Sequence, residues 1–289
     1  MDRPTNLVMS LDARHAAGLY LDLLKKCVTR YVFEDGSAPF VPTEHGSELK
    51  KALKSAFCRL LRARGLELRR TVGFDRNARL HGRDRPAAAE TMIGLKRLDN
   101  LQQCIASVVD DDVPGDLVET GVWRGGAAIF MRGALAAYGD QTRKVWCADS
   151  FRGLPPPDPS RYSAARDLDW HNNSYLEVSL EQVQRNFDRY GLLDDRVKFL
   201  VGWFKDTLPA APIERLALMR LDGDMYESTM DALQALYGRL SPGGYVIVDD
   251  YGLRDDACRR AVHDFRRMHG ISDAILDIDG WGAYWRRGA

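Results

Sequence analysis

The chain has 289 residues, of which 45% are hydrophobic and 28% are charged, so it is long enough to bury a large core as an ordinary globular protein. Lys plus Arg and Asp plus Glu each number 41, and this balance excludes an overall electrostatic attraction to nucleic acid or to an acidic membrane surface. We therefore expect local sites to select the partner, and we expect neither nucleic acid nor membrane to be one.

The N-terminal part of the chain is predicted to be mainly helical. Apolar residues recur at helical spacing over 18–36, 47–70 and 95–112, and the second of these segments is strongly basic, as solvated faces of packing helices often are. Residues 76–94 are polar, contain Pro86 and predict a loop. We interpret residues 1–113 as a helical cap that contributes to dimerisation and to a lid.

From residue 114 onward, short apolar runs alternate with helical patterns. Strands are predicted at 116–122, 144–151, 196–204, 216–224 and 243–251, with helices at 125–138, 174–190, 226–239 and 254–268. Two last strands, 274–279 and 282–287, form an antiparallel return through Gly280 and Trp281. This alternation predicts an α/β domain over 114–289, with a doubly wound, seven-stranded, mostly parallel sheet covered on both faces.

The cysteines indicate a reducing compartment, since they are odd in number, scattered and never in a CxxC spacing: Cys27, Cys58, Cys104, Cys147 and Cys258. The N-terminal segment lacks an apolar signal region, and no stretch approaches the roughly 18 uninterrupted apolar residues that suggest a membrane span. We expect a soluble protein of the cytoplasm.

Ligands of open α/β sheets bind beyond the carboxyl ends of the strands, where the strand order reverses. The first strand ends in "VETGVWRGG", whose glycines allow close backbone approach to a ligand, with Glu119 just ahead of Gly121. Asp149 ends the second strand and is the kind of acid that grips ribose hydroxyls, although an Asp that caps the next loop is the alternative. No G-x-G-x-x-G or GK[ST] phosphate motif is present. The pattern favours a nucleoside site.

Three carboxylates are predicted to converge where the fourth and fifth strands end. Asp222 ends the fourth strand, and Asp249 and Asp250 end the fifth. Packed anions raise one another's pKa unless a cation neutralises them, and all-oxygen ligation suits Mg²⁺ or a similar hard cation. Both neighbouring aspartates can face one metal only if the strand ends there. The alternative is that these acids cap the following helices, a role equally open to Asp224.

These segments resemble the macrocin O-methyltransferase (TylF-like) family of S-adenosylmethionine-dependent sugar O-methyltransferases. The runs that carry the resemblance cover nearly the whole chain: "LYLDLLKKCVTRYVFED", "ETMIG", "ETGVWRGGAAIFMRG", "CADSFRGLPPPD", "VGWFKDTLP", "RLDGDMYEST", "SPGGYVIVDDYG" and "DIDGWGAYWR". More distantly, the plan is similar to that of catechol O-methyltransferases, which also hold a metal at this edge. The resemblance implies a Rossmann-like class I methyltransferase fold and a homodimer.

The resemblance also implies residue roles. S-adenosylmethionine would contact Glu119 and Gly121 on its methionine and ribose side, Asp149 and Ser150 at the ribose, Gly202, Trp203 and Phe204 at the adenine, and Thr91, Met92 and Ile93 as a cover. Metal ligation is implied for Asp222, Asp249 and Asp250. Catechol enzymes carry a lysine base shortly after their first metal aspartate, whereas "DGDMYES" has none. We therefore predict Asp222 itself as the catalytic base.

We predict a Mg²⁺- and S-adenosylmethionine-dependent O-methyltransferase that acts on a sugar hydroxyl of a glycosylated natural product, as in antibiotic biosynthesis. The alternatives are a catechol-type methyltransferase of a small phenolic acceptor and a non-catalytic nucleoside-binding protein. The acceptor pocket is predicted from the cap and the loop at 151–172, which includes His171. The sugar, the hydroxyl position and the aglycone are not encoded in any motif.

Overall fold

The structure is a computed structural model that describes residues 11–34, 36–40, 47–156, 158, 160–162, 173–252 and 256–288. Its helices are α1 (Leu11–Val28), α2 (Glu48–Arg62), α3 (Arg76–His81), α4 (Leu95–Asp110), α5 (Gly126–Ala137), α6 (Leu180–Arg189), α7 (Phe204–Thr207), α8 (Tyr226–Leu236) and α9 (Ala257–Met268). Its strands are β1 (Ser37–Pro39), β2 (Arg69–Thr71), β3 (Asp116–Thr120), β4 (Val145–Asp149), β5 (Val197–Val201), β6 (Leu216–Leu221), β7 (Leu240–Val248), β8 (Leu276–Asp277) and β9 (Ala283–Arg286).

The main sheet has seven strands in the order β5-β4-β3-β6-β7-β9-β8. Strands β3 to β7 run parallel, whereas β9 is antiparallel to β7 and β8 is antiparallel to β9. The prediction of a doubly wound, mostly parallel sheet is confirmed. The chain leaves β3 toward β4 on one side and returns to β6 on the other, so the strand order reverses between β3 and β6.

Helices cover both faces of this sheet, and the buried residues of β3, β4 and β6 are mostly apolar, with Glu119 and Arg220 as charged exceptions. One core contains Leu21 of α1, Leu101 of α4, Phe130 of α5 and Phe187 of α6. The other core contains residues of α8 and α9 together with Trp285 of β9. Since α1 and α4 both pack on α5, N-terminal helices belong to the first core. The division at residue 113 stays a prediction.

Several helix boundaries differ from the predictions. The predicted loop at 76–94 contains α3, because Asp75 accepts hydrogen bonds from the N–H groups of Asn77 and Ala78 and so starts a helix before Pro86. The second predicted helix ends at Arg62, and residues 69–71 instead pair with β1. Within the described ranges, no helix has the length and apolarity needed to cross a bilayer.

The strand ends form a continuous row at one edge of the sheet. The first residue after each of four strands donates its N–H to a backbone carbonyl of the neighbouring strand at 2.8–2.9 Å: Gly121 to Ala148, Asp222 to Thr120, Asp249 to Leu221 and Gly202 to Asp149. The backbone therefore holds the predicted site residues side by side. Side-chain contacts then decide which of them face a ligand.

Candidate active site

A cavity of about 880 Å³, partly open to solvent, lies at this edge. It extends from the glycine turn after β3, past the ends of β4 and β5, to the end of β6 and the first turns of α8. Its lining residues are Met92, Gly121, Trp123, Asp149, Ser150, Gly153, Leu154, Pro155, Pro156, Asp158, Arg161, Leu176, Trp203, Phe204, Lys205, Asp222, Gly223, Asp224, Glu227, Ser228 and Asp231. Its lining combines aromatic side chains with acidic and hydroxyl groups, as sites for small polar ligands commonly do.

The cavity brings together most of the residues predicted to bind the cofactor. Met92, Gly121, Asp149, Ser150, Trp203 and Phe204 line it. The described residues that line the cavity do not include Thr91, Ile93, Glu119 or Gly202. Thr91 lies near the start of α5, where the N–H of Gly126 donates to the carbonyl of Glu90 at 2.8 Å, and Ile93 is buried in the first core. The predicted loop at 151–172 contributes through its first part, whereas residues 157, 159 and 163–172, including His171, lie outside the described residues.

The turn after β3 is held close to the end of β6. Gly121 has φ +88°, and a Cβ on it would lie 1.6 Å from the backbone oxygen of Asp222. A glycine is therefore required both for the left-handed backbone and for the close approach of the two strands. This contact sets Asp222 directly beside the predicted cofactor turn.

Asp149 organises the same turn. Its Oδ2 accepts from the N–H of Val122 at 2.7 Å and of Trp123 at 3.3 Å, and its Oδ1 accepts from the N–H of Phe151 at 2.7 Å. Burial raises the pKa of Asp149, and these backbone donors oppose that shift. Asp149 thus lines the cavity and also fixes the glycine turn, whereas its contact with a cofactor ribose stays a prediction.

Three carboxylates lie together at the far wall, but they differ from the predicted group. One oxygen each of Asp222, Asp224 and Asp250 lies within 4.8 Å of the other two. Oδ2 of Asp250 is buried and has no hydrogen-bond partner in the part of the chain that the structure describes. Burial, followed by the charges of Asp224, Asp222 and Asp249, raises the pKa of Asp250 well above its usual value.

Asp249 instead binds two arginines that the sequence analysis did not consider. Its Oδ2 accepts from Arg97 at 2.6 Å and its Oδ1 from Arg220 at 2.8 Å. Burial acts to raise the pKa of Asp249, but these two guanidinium groups hold it below its ordinary value. β7 ends at Val248, yet Asp249 and Asp250 still face different surroundings, because the two arginines bind Asp249 alone. The third carboxylate of the group is therefore that of Asp224, whereas the sequence predicted Asp249.

Glu119 contacts Arg220 and is not among the described residues that line the cavity. Its Oε1 accepts from Arg220 at 2.6 Å, while its Oε2 is buried with no hydrogen-bond partner among the described residues. Burial raises the pKa of Glu119 to about 8, although Arg220 acts to lower it. Arg220 could have been noticed in the sequence as the only charged residue within the strand run "LALMRL", whereas Arg97 in "LKRLDN" resembles any polar residue of a surface helix.

Trp123 is a further residue of the site that the sequence analysis passed over. It lines the cavity, has φ +48°, and donates from Nε1 to the carbonyl of Tyr175 at 2.9 Å. The guanidinium of Arg124 lies 4.2 Å from the centre of the Trp123 ring. Trp123 thereby connects the glycine turn to the short helical turn at 174–176.

Comparisons with known proteins identify the family of the chain. The macrocin-O-methyltransferase (TylF) family matches residues 17–287. The 8-demethyl-8-(2,3-dimethoxy-alpha-L-rhamnosyl)-tetracenomycin-C 4'-O-methyltransferase of Streptomyces olivaceus is 52% identical over 282 residues, which cover 97% of this chain and 96% of that protein. The mycinamicin III 3''-O-methyltransferase of Micromonospora griseorubida is 50% identical, covering 94% and 97%.

A solved structure gives the same result for the fold. The structure of the O-methyltransferase NovP superposes with a TM-score of 0.80 at 46% identity, covering 94% of this chain and all of that one. The seven-stranded sheet is thus that of a class I methyltransferase. The match in sequence and overall structure places the chain in the macrocin-O-methyltransferase (TylF) family, and it is an S-adenosylmethionine-dependent O-methyltransferase.

Proposed function

We propose that the enzyme methylates a sugar hydroxyl of a glycosylated natural product of the antibiotic type, and that it requires a divalent cation such as Mg²⁺. The observation that carries the proposal is the group formed by Asp222, Asp224 and Asp250, of which Asp222 and Asp224 line the cavity. The activities for which the two relatives are named, on a rhamnosyl tetracenomycin and on mycinamicin III, support the acceptor class.

The charges at this edge fit a cation. The ion pairs of Arg97 and Arg220 account for four carboxylates, those of Glu119, Asp222, Asp249 and Asp279. Asp250 lies beside this group, so carboxylates outnumber guanidinium groups here, and a divalent ion would reduce the repulsion among the ionised ones. The donor set is entirely oxygen, and the buried Oδ2 of Asp250 lacks a hydrogen-bond partner among the described residues, as a ligand atom would. Asp222, Asp224 and Asp250 would hold the ion.

The remaining roles fall to residues of the cavity wall. Bound Mg²⁺ would lower the pKa of the acceptor hydroxyl and orient it, and S-adenosylmethionine supplies the methyl group. Asp149 would hold the cofactor ribose, with Trp203 and Phe204 beside the adenine. Asp222 would take the acceptor's proton, since it lines the cavity and its side chain remains 24% exposed.

Removal of the metal should abolish activity. A panel of glycosides and simple catechols, incubated with labelled S-adenosylmethionine, should show methyl transfer to a glycoside, loss of transfer in EDTA, and recovery with Mg²⁺. Transfer to catechols alone would favour a phenolic acceptor, and full activity in chelator after dialysis would contradict the metal requirement.

Asp224→Asn should weaken Mn²⁺ binding more than Asp249→Asn, because Asp224 and not Asp249 belongs to the group of three carboxylates. Weaker Mn²⁺ binding by Asp249→Asn than by Asp224→Asn would restore the ligand set predicted from the sequence.

Asp149→Ala should weaken cofactor binding. Loss of two ribose hydrogen bonds, each contributing roughly 0.5–1.5 kcal/mol, should raise the dissociation constant of S-adenosylhomocysteine about 10-fold or more in a calorimetric titration. Asp140→Ala is the matched control, because Asp140 also accepts two backbone hydrogen bonds, from Thr142 and Arg143, outside the cavity. Equal dissociation constants for Asp149→Ala and the wild type would remove Asp149 from the cofactor site.

The N-terminal helices are proposed to form a homodimer. Large apolar side chains on α1 and α2 remain exposed: Leu19, Tyr20, Leu23, Leu49, Leu53, Phe57 and Leu60. Light scattering at micromolar concentration should give twice the chain mass of 32.6 kDa. Leu53→Glu combined with Phe57→Glu should shift the protein toward the monomer, and a monomeric wild type would contradict the proposal.

The proposed setting is the cytoplasm, without nucleic acid or membrane as partner. All five cysteines are free thiols, which fits a reducing compartment. The equal numbers of acidic and basic residues support the absence of a nucleic acid partner.

A further inference from the structure

Arg220 occupies an unusual place for a charged residue, the interior of the buried strand β6. Its side chain is 2% exposed. Nη1 donates to Oε1 of Glu119 at 2.6 Å and to Oδ2 of Asp222 at 2.8 Å, and Nη2 donates to Oδ1 of Asp249 at 2.8 Å. One planar group thus fixes carboxylates that lie on or directly after three different strands, and one of them is the proposed base.

Arg97 extends the same arrangement from the other side of Asp249. Its Nη1 donates to Oδ2 of Asp249 at 2.6 Å, and its Nη2 donates to the carbonyls of His81 at 3.1 Å and Gly82 at 3.3 Å. Its Nε lies 3.2 Å from Oδ2 of Asp279. Because Asp249 is held on both oxygens, it sets the position of the Arg220 guanidinium in turn.

Stability alone does not explain this arrangement. Buried ion pairs lose much of their attraction to the desolvation of both charges, and apolar residues of similar volume often stabilise a fold equally well or better. A planar fork does give a fixed orientation to each carboxylate that it binds. With Oδ2 of Asp222 bound to Arg220, the direction of its other oxygen is set as well.

We propose that Arg220 is a positioning residue for methyl transfer, which orients the Asp222 carboxylate toward the metal and the acceptor, and that Arg97 supports it through Asp249. The proposal rests on the proposed function of Asp222. It requires the geometry of the guanidinium and not only its charge, and this distinction can be tested.

Two substitutions separate geometry from charge. Arg220→Lys keeps the positive charge and loses the fork, whereas Arg220→Met removes the charge beside the proposed ligands. If Arg220 acts only through its charge, Arg220→Lys should bind Mn²⁺ as tightly as the wild type does, and Arg220→Met should bind Mn²⁺ more tightly. If Arg220 positions Asp222, both variants should bind Mn²⁺ more weakly, by about 10-fold or more for Arg220→Lys, as when other groups that orient metal ligands are removed.

The experiment measures Mn²⁺ binding to the full-length enzyme by electron paramagnetic resonance, S-adenosylhomocysteine binding by calorimetry, and methyl transfer per folded enzyme. For Arg220→Lys, we expect transfer to fall by about 10-fold to 10²-fold with cofactor affinity nearly unchanged. Arg97→Lys should show a smaller loss in the same direction. If Arg220→Met does not fold, the two lysine variants still decide the question.

Arg132→Lys is the matched control, since Arg132 is also buried and pairs in bidentate fashion with Asp194, on α5 and away from the carboxylates. It should lower stability without changing Mn²⁺ affinity or transfer per folded enzyme. A wild type that binds no Mn²⁺ overturns the proposed metal requirement. A wild type that binds Mn²⁺ no better than Arg220→Lys, or an Arg220→Met that binds it more tightly, overturns the positioning role.

Discussion

Asp222→Asn should slow methyl transfer by about 10²-fold or more, the scale typical of a lost general base. Asn preserves the shape of the side chain and one neutral oxygen, but it removes the charge that takes the acceptor's proton and attracts the metal. The affinity for S-adenosylhomocysteine should change much less, because the proposed cofactor residues lie at the ends of β3 to β5, whereas Asp222 follows β6. Single-turnover transfer at saturating Mg²⁺ is the measurement.

Asp224→Asn provides the comparison within the cavity. Asp224 lies two residues later, at φ +57°, and also lines the cavity, but it is not among the carboxylates that Arg220 binds. Its loss should reduce transfer less at saturating Mg²⁺. Asp116→Asn, at the opposite end of β3, where Asp116 accepts from Trp146 Nε1 at 2.8 Å, should leave transfer unchanged. Near wild-type transfer by Asp222→Asn, with collapse in Asp224→Asn, would reassign the base.

Gly121→Ala should lower the free energy of unfolding by roughly 2–5 kcal/mol. A left-handed conformation costs a non-glycine residue about 1–2 kcal/mol, and forced overlap in a packed region typically costs about 1–3 kcal/mol more. The overlap cannot be relieved by a side-chain rotation, because the added Cβ meets the backbone oxygen of Asp222, whose N–H is bonded to Thr120 at 2.8 Å. The ends of β3 and β6 would have to separate, so activity should fall as well.

Gly191→Ala separates the two contributions. Gly191 has φ +65°, yet a Cβ on it would meet no atom within 4 Å. Its substitution should therefore lower the free energy of unfolding only by the cost of the left-handed backbone, about 1–2 kcal/mol. Urea denaturation of both variants gives the comparison, and equal losses of stability would show that the close approach at Gly121 is relieved elsewhere.

The sheet was predictable because its strands are short, almost wholly apolar and regularly separated by helices. The row of strand ends follows from the parallel sheet, so the neighbourhood of Asp149, Asp222 and Asp250 was predictable too. The partner of each carboxylate oxygen was not predictable, because it depends on Arg220 inside a buried strand and on Arg97 far away in sequence. Arg97 lies 152 residues before Asp249 and contacts it only in the folded chain.

The errors in the N-terminal part have a local cause. Helical periodicity extended the second helix to residue 70, but Arg69 pairs with Pro39 in a small separate sheet. Pro86 suggested a loop, and the cap formed by Asp75 was overlooked. The role of Asp224 was left open because a helix cap and a metal ligand require the same residue at the same strand end.

The strand order has a consequence for recombining relatives of this enzyme. Strands β3 to β5 carry the proposed cofactor residues, β6 to β9 carry the carboxylates, and the chain passes from the first group to the second between Val201 and Leu216. A chimera joined in that segment would exchange one half of the site as a unit. The new seam would be the pairing of β3 with β6, whose backbone hydrogen bonds do not depend on the identity of the side chains. The Glu119 and Arg220 pair crosses that seam, however, and would have to be inherited together.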